Sequence, residues 1–353
     1  TFSWTPTIAD VANSPFFFLV TVFDDACPIM GSFSYSYQID LTIGASGSFV
    51  STDVSCFGLQ DGTIDLSVIG GSPPYNFFWW NSVSGFTSTS EDITNLSAGI
   101  YSVDIINLNS CTTSTSITLT EPTPLQTSIV PTNFNGYNIS CNGYSDGDID
   151  LTVTGSVPGY SYLWNNNATT EDITNLSAGI YSVDITDLNS CTISTSITFT
   201  EPVPLQTSIV PTNFNGYNIS CNGYSDGDID LTVTGSVPGY SYLWNNNATT
   251  EDITNLSAGI YSVDITDLNS CTISTSITLT EPKLLLLTSN FAHDTCNIHD
   301  GMAEVIVTGG VLPFNYFWSN NQITAAINNL YAGNYSVIIT DANNCEISEQ
   351  FYI

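Results

Sequence analysis

The chain has 353 residues, 42% of them hydrophobic, which is enough for two to four packed domains and too apolar for wholesale disorder. Its 33 acids face one base, Lys283, and a net charge of −32 repels phosphate backbones and anionic lipid, so nucleic-acid binding is excluded. No apolar run approaches the roughly 18–20 residues that cross a bilayer, so direct membrane insertion is not expected, and with no basic n-region any export signal is expected upstream.

Residues 1–46 differ from all that follows. The segments Phe16–Val22 and Tyr35–Ile43 are rich in β-branched and aromatic residues and predict two closing strands of a preceding domain. Cys27 is expected to find its partner further upstream.

From residue 47 the chain repeats, with units at 47–121, 122–201, 202–281 and 282–353. Residues 121–200 and 201–280 differ only at Thr123/Val203 and Phe199/Leu279. Glu-Pro marks each seam, at Glu121-Pro122, Glu201-Pro202 and Glu281-Pro282. Proline fixes φ there, so the seam is short and stiff.

Within a unit the apolar period is two. In "DIDLTVTG" Ile149, Leu151 and Val153 face one way; in "GYSYLWNN" Tyr160, Tyr162 and Trp164 share a face; in "GIYSVDITD" Tyr181, Val183 and Ile185 point together and Asp184 points out. "TISTSITFT" is a β-branched last strand, and no stretch has helical periodicity. Several short strands per unit predict an all-β chain, a tandem array of immunoglobulin-like β-sandwich repeats forming an elongated rod. Trp79, Trp164, Trp244 and Trp318 recur at one place and read as core, and "NLSAGIYSVDI" (Asn175–Ile185) reads as a tyrosine corner.

After Cys27 the cysteines are regularly spaced. Cys56 and Cys111, Cys141 and Cys191, Cys221 and Cys271, and Cys296 and Cys345 stand 55, 50, 50 and 49 residues apart. With no C-x-x-C, that regularity predicts one disulfide per repeat rather than zinc, clipping the ends of two strands in an oxidising compartment. Closing such a loop is worth about 3–4 kcal/mol.

Acids cluster behind the first cysteine of each unit, at Asp61 and Asp65, Asp146, Asp148 and Asp150, Asp226, Asp228 and Asp230, and Asp300 and Glu304. Two readings stand: an Asp-Gly turn leading into a solvent-facing strand, or a calcium site shared with a seam glutamate or Asp187. Thr63 and Met302 replace the middle acid in the outer units, so the set is not an EF-hand loop. Acids studding exposed strands in every unit do not make a catalytic pair, and with two histidines in the whole chain no Ser-His or Cys-His arrangement can recur; an enzyme is not expected. His293, Cys296 and His299 resemble a metal set, but Cys296 lies in register with Cys141 and Cys221 and is assigned to a disulfide. In "NFFWW", Phe78 and Trp80 face away from Phe77 and Trp79, a patch for a glycan or a neighbouring domain. Sequons such as Asn138-Ile-Ser140, Asn167-Ala-Thr169 and Asn175-Leu-Ser177 follow from the Asn/Ser/Thr-rich composition.

Residues 49–353 resemble SprB-type repeats. The motifs are Cys-x-Gly-x-x-Asp-Gly-x-Ile in the second and third units, Gly70-Gly71 with Pro74-Tyr75 in the first, Asn-Leu-x-Ala-Gly-x-Tyr-x-Val, and "TDANNC" (Thr340–Cys345). "SVPGY" and "LNSC" depart from the usual pattern. The opening segment resembles the end of an immunoglobulin/cadherin-like or PKD-like domain. The resemblance implies a secreted protein of the extracellular cell surface, exported by the type IX route in gliding Bacteroidetes. It implies a stalk or filament shaft that extends a binding tip for attachment or gliding motility. The expected partners are neighbouring repeats of the same chain, other surface proteins or glycans, with calcium the one cofactor considered. The alternatives are an array of glycan-binding modules and accessory domains of a secreted hydrolase.

Overall fold

The structure, a computed structural model, describes residues 3–23, 31–41, 43–295 and 298–353. The chain divides into two compact units, each treated by itself: Thr1–Ile129 with Leu151–Glu171 and Tyr181–Ser196, and Val130–Asp150 with Asp172–Ile180 and Ile197–Ile353. Among the described residues no helix is long and apolar enough to cross a membrane.

The third repeat shows the plan. One antiparallel sheet has the order Gln206–Pro211, Gly227–Thr234, Ile253–Leu256, and the other Ser241–Trp244, Gly259–Thr266, Thr272–Leu279. Strict alternation of buried and exposed residues along Gly227–Thr234 puts Ile229, Leu231 and Val233 inside. They meet Trp244, Val263, Ile265 and Leu279 of the facing sheet. Trp244 is 1% exposed, and its indole N–H donates to the Thr250 carbonyl at 3.0 Å, so burying the ring strands no polar atom. The tyrosine corner is formed: Tyr261 Oη donates to the Ser257 carbonyl at 3.1 Å, and Tyr101 Oη to Ser97 at 3.0 Å.

The first and fourth repeats repeat this core, around Trp79 and Trp318. The first adds the short strand Thr87–Ser88 beside Asn76–Trp80. In the second, Gln126–Pro131, Gly147–Thr154 and Ile173–Leu176 form one sheet, and Ser161–Trp164, Gly179–Thr186 and Thr192–Phe199 the other. Ahead of the repeats, a one-turn helix (Ile8–Val11) precedes two strands, Phe16–Phe23 and Ser32–Ile39, which pair with each other from Phe16 opposite Ile39 to Phe23 opposite Ser32.

The expectation that each repeat closes its own disulfide is overturned. The bonds formed are Cys56–Cys191, Cys141–Cys271 and Cys221–Cys345, each joining the first cysteine of one repeat to the second cysteine of the next. Strand direction explains why. In the third repeat Gly227 pairs with Leu256, and Gly259 with Leu279, at the end where the chain leaves; Cys221 sits there, just ahead of Gly227. Thr266 pairs with Thr272 at the opposite end, where the chain arrives, and Cys271 sits beside them. Eight-residue strands separate the two ends by roughly 23 Å, at about 3.3 Å per residue. A disulfide needs Cα atoms about 4.4–6.8 Å apart. Cys221 and Cys271 therefore cannot meet, whereas Cys221 and Cys345 do, at 5.6 Å. Cys111 is exposed and in no disulfide among the described residues. Cys27 and Cys296, with the bonds expected of them, lie outside the described residues.

Candidate functional site

The recurrent chemistry of this chain lies at the joints between repeats. Each joint has two halves: the loop that opens one repeat, at the end where that repeat's chain leaves, and the turn that closes the next.

The opening loop is clamped by the first acid of the sequence cluster. Asp146 accepts the Ser140 N–H at 3.1 Å on one oxygen and the Ser140 hydroxyl on the other; Asp226 does the same for Ser220, Asp61 for Ser55 and Asp300 for Thr295. The hydroxyl and N–H of Ser55 hold Asp61 below the usual carboxylate range, and those of Thr295 do so for Asp300. The seam glutamate braces the same loop from the side. Glu201 accepts from Gly143 N–H at 2.7 Å and Asn142 Nδ2 at 3.1 Å, Glu281 from Gly223 N–H at 2.6 Å and Asn222 Nδ2 at 3.0 Å, and Glu121 from Gly58 N–H at 2.6 Å.

The closing turn is built on a buried aspartate. Asp267, 6% exposed, accepts the N–H groups of Asn269 and Cys271, both at 2.8 Å, on Oδ1, and the Ser236 hydroxyl and Val237 N–H on Oδ2. Burial would raise its pKa, but these four hydrogen bonds outweigh it and hold the carboxyl below its usual range; Asp187 is held low in the same way by Ser156, Cys191, Val157 and Asn189. The residue ahead of the cysteine, Ser270, takes φ 69°, and its counterparts Ser190 and Asn344 take 68° and 64°. This left-handed step lets the cysteine N–H turn back onto the aspartate.

The halves then meet. Asn269 Nδ2 donates to the Ser140 carbonyl at 3.0 Å and the Phe134 carbonyl at 3.2 Å, beside Cys141–Cys271. Asn343 repeats this on Ser220 and Phe214, and Asn189 donates to the Ser55 carbonyl at 3.0 Å. In the later joints a small hairpin, Phe134 bridged to Tyr137 and Phe214 to Tyr217, adds a bond from Asn135 Nδ2 to Asn269 Oδ1 at 2.6 Å and from Asn215 Nδ2 to Asn343 Oδ1 at 2.7 Å. Cys221, Leu285 and Cys345 form an apolar plug at the third joint, beside a shallow cavity of about 300 Å³.

The remaining sequence candidates are not drawn together. Asp65, Asp150, Asp230 and Glu304 stand exposed on their strands. Asp148 and Asp228 accept the N–H of Asn175 and Asn255 at 3.2 and 3.3 Å. Among the described residues no three His, Cys, Asp or Glu side chains assemble as a metal-holding group. The His293 ring lies against Phe291 and that of His299 against Tyr331. Phe78, 47% exposed, and the half-buried Trp80 stack with ring centres 5.9 Å apart. Sequence reasoning passed over Asn189, Asn269 and Asn343, although their fixed place two residues before the closing cysteine was a usable signal.

The SprB repeat family model matches residues 48–84, 135–169, 215–249 and 288–323. No curated protein matches. Among solved structures, invasin, a bacterial integrin-binding protein, aligns at 13% identity over 88% of this chain and 79% of its own, with a TM-score of 0.29. The N-terminal eight Ig domains of Down syndrome cell adhesion molecule align at 12% identity over 87% and 66%, with a TM-score of 0.23. The extracellular domain of protocadherin GammaB4 aligns at 10% over 97% and 72%, with a TM-score of 0.29. Scores this low assign nothing, and the sandwich fold stands on strand order and core packing. SprB repeats are thus found four times in this chain, in register with its four cysteine-bounded blocks.

Proposed function

We propose that the chain is a tension-bearing shaft of an extracellular, cell-surface adhesin, a structural rather than catalytic part, which carries a binding tip away from the cell. The observation that supports this reading is the staggered disulfide pattern. Because Cys56 is bonded to Cys191 and Cys221 to Cys345, a covalent path from Cys56 to Cys345 needs only the stretch from Cys191 to Cys221, about 30 residues of backbone instead of about 290. At about 3.5 Å per extended residue, these points can separate by roughly 100 Å when every sandwich unfolds, against roughly 1,000 Å without the bonds. A chain pulled at its ends thus has almost no slack to give up. One disulfide inside each repeat would leave every seam in the load path as a single strand; staggered bonds bypass whole repeats.

Single-molecule pulling on the whole chain tests this. Reduction is expected to add about 900 Å of final contour length between the flanking handles, at about 3.5 Å per residue. Equal contour lengths before and after reduction would refute the reading. Export by the type IX route and a role in gliding belong to the same proposal, and are tested by locating the protein on cells lacking that secretion system.

The stacked Phe78–Trp80 pair favours one second reading, glycan binding by the first repeat. A glycan array probed with the whole chain decides it: binding lost in Trp80→Ala supports it, and no binding by the parent chain removes it.

A further inference from the structure

The closing turn of the first repeat has the parts that elsewhere receive an opening loop. Asn107, 3% exposed, stands where Asp187, Asp267 and Asp341 stand; its Oδ1 accepts the N–H of Asn109 and of Cys111, both at 3.0 Å. Ser110 takes the left-handed φ of 61° that Ser190 and Ser270 share. At the other three turns the equivalent asparagine donates to the carbonyl just ahead of an opening-loop cysteine, and the equivalent cysteine is bonded to that loop. Here Asn109 Nδ2 turns to Ser72 Oγ at 3.4 Å, and Cys111 is exposed and in no disulfide among the described residues. Asn107 Nδ2 is buried and has no hydrogen-bond partner among the described residues.

We propose that the Cys111 turn is an acceptor for the opening loop of a further SprB-type repeat, closed by a disulfide between Cys111 and that loop's cysteine. The occupant is defined by its chemistry: an Asp-Gly four or five residues after the cysteine, and before the cysteine a Ser or Thr whose N–H and hydroxyl that carboxylate clamps, leaving its carbonyl for Asn109. All four opening loops of this chain have that form, whereas "ACPIMGS" (Ala26–Ser32) around Cys27 has neither feature. In the closing reaction the two thiols give up two protons and two electrons to a low-molecular-weight disulfide such as oxidised glutathione, which leaves as two thiols. The proposal rests on the joint geometry and not on the tension-bearing reading, since force extension and thiol chemistry fail separately.

The probe is the peptide of residues 138–149, with its cysteine carried as a thiopyridyl mixed disulfide. The Cys111 thiolate attacks the peptide sulfur, the new S–S bond forms, and thiopyridone leaves with the electron pair. With the full chain, exchange at Cys111 is expected to run about tenfold or more faster than with the Asp146→Ala form of the peptide, the worth of one to two hydrogen bonds. In Asn109→Ala the ratio is expected to fall to near one. A parent ratio short of tenfold, a ratio kept in Asn109→Ala, or mapping of the oxidised chain that finds Cys111 bonded to Cys27 overturns the proposal.

Discussion

Lys283 is the only residue trypsin recognises in this chain, and it is exposed at the seam between the third and fourth repeats. Cys221 lies before it and Cys345 after it, so one cut leaves residues 1–283 and 284–353 joined by Cys221–Cys345. Pairing within repeats would place each bond wholly on one side of the cut and free the second fragment. With thiols alkylated first to stop exchange, a non-reducing gel of the cut protein should show a single band that splits only on reduction; Cys345→Ser should split without it. The energetic counterpart follows from loop length. A bond spanning 124 residues removes about 5 kcal/mol of chain entropy from the unfolded state. At about 2–4 °C per kcal/mol for a body of two repeats, Cys221→Ser with Cys345→Ser should lower the melting midpoint of the C-terminal transition by roughly 10–20 °C. Release of residues 284–353 from the oxidised parent chain would refute the staggered pairing, and the tension argument with it.

Asp267→Asn should keep the turn, because Oδ1 still accepts from Asn269 and Cys271. It sets an amide against the Val237 N–H, as Asn107 already shows with its unpartnered Nδ2. The cost is about 1–3 kcal/mol in urea unfolding. The folded pKa of Asp267 lies below the ordinary value of 3.8, so its contribution is full above that value and is lost as pH falls through the depressed one. The parent melting midpoint should therefore hold from neutral pH down to about 4 and then fall, and Asp267→Asn should flatten part of that fall. Gly235→Ala should destabilise the third repeat in the same assay, since Gly235 has φ 87° and a Cβ there would lie 2.2 Å from the Pro204 carbonyl oxygen. Melting with and without a chelator should give one midpoint, because each turn aspartate already has its N–H and hydroxyl donors; a midpoint lowered by the chelator would restore calcium to the loop.

The sandwich was legible because its signals are local. Alternation along "DIDLTVTG" placed Ile149, Leu151 and Val153 inside, and the recurring tryptophans and tyrosine corners marked the core. The disulfides were not legible from spacing, and the reason is periodicity. With a period near 80 residues, a cysteine 50 residues away and one 130 away recur with equal regularity, so spacing alone cannot tell a bond within a repeat from one to the next. Strand direction breaks the tie, because the first cysteine precedes a strand running away from the exit end and the second follows another strand running the same way. The aspartates were half legible. The strand begins at Gly147 as expected, but the turn lies earlier, at Asn142-Gly143, and the loop that Asp146 clamps by its carboxylate became visible only with Ser140 in place beside it.

The joints also explain how a chain with 33 acids and one Lys holds itself together with hardly a cation to pair with. Each carboxylate used at a joint is satisfied by neutral donors: backbone N–H groups and a Ser hydroxyl at Asp187 and Asp267, a loop N–H and an amide at Glu201 and Glu281. Such bonds, with one charged member, are worth more than neutral pairs, and being short-range they are little weakened by salt. The exposed acids at Asp65, Asp150, Asp230 and Glu304 meanwhile add repulsion that salt screens. Attraction at the joints and repulsion elsewhere thus respond differently to ionic strength. That division lets the connections persist in salt, while the acids on the outer faces of the central strands, Asp150 and Asp230 among them, repel neighbouring copies.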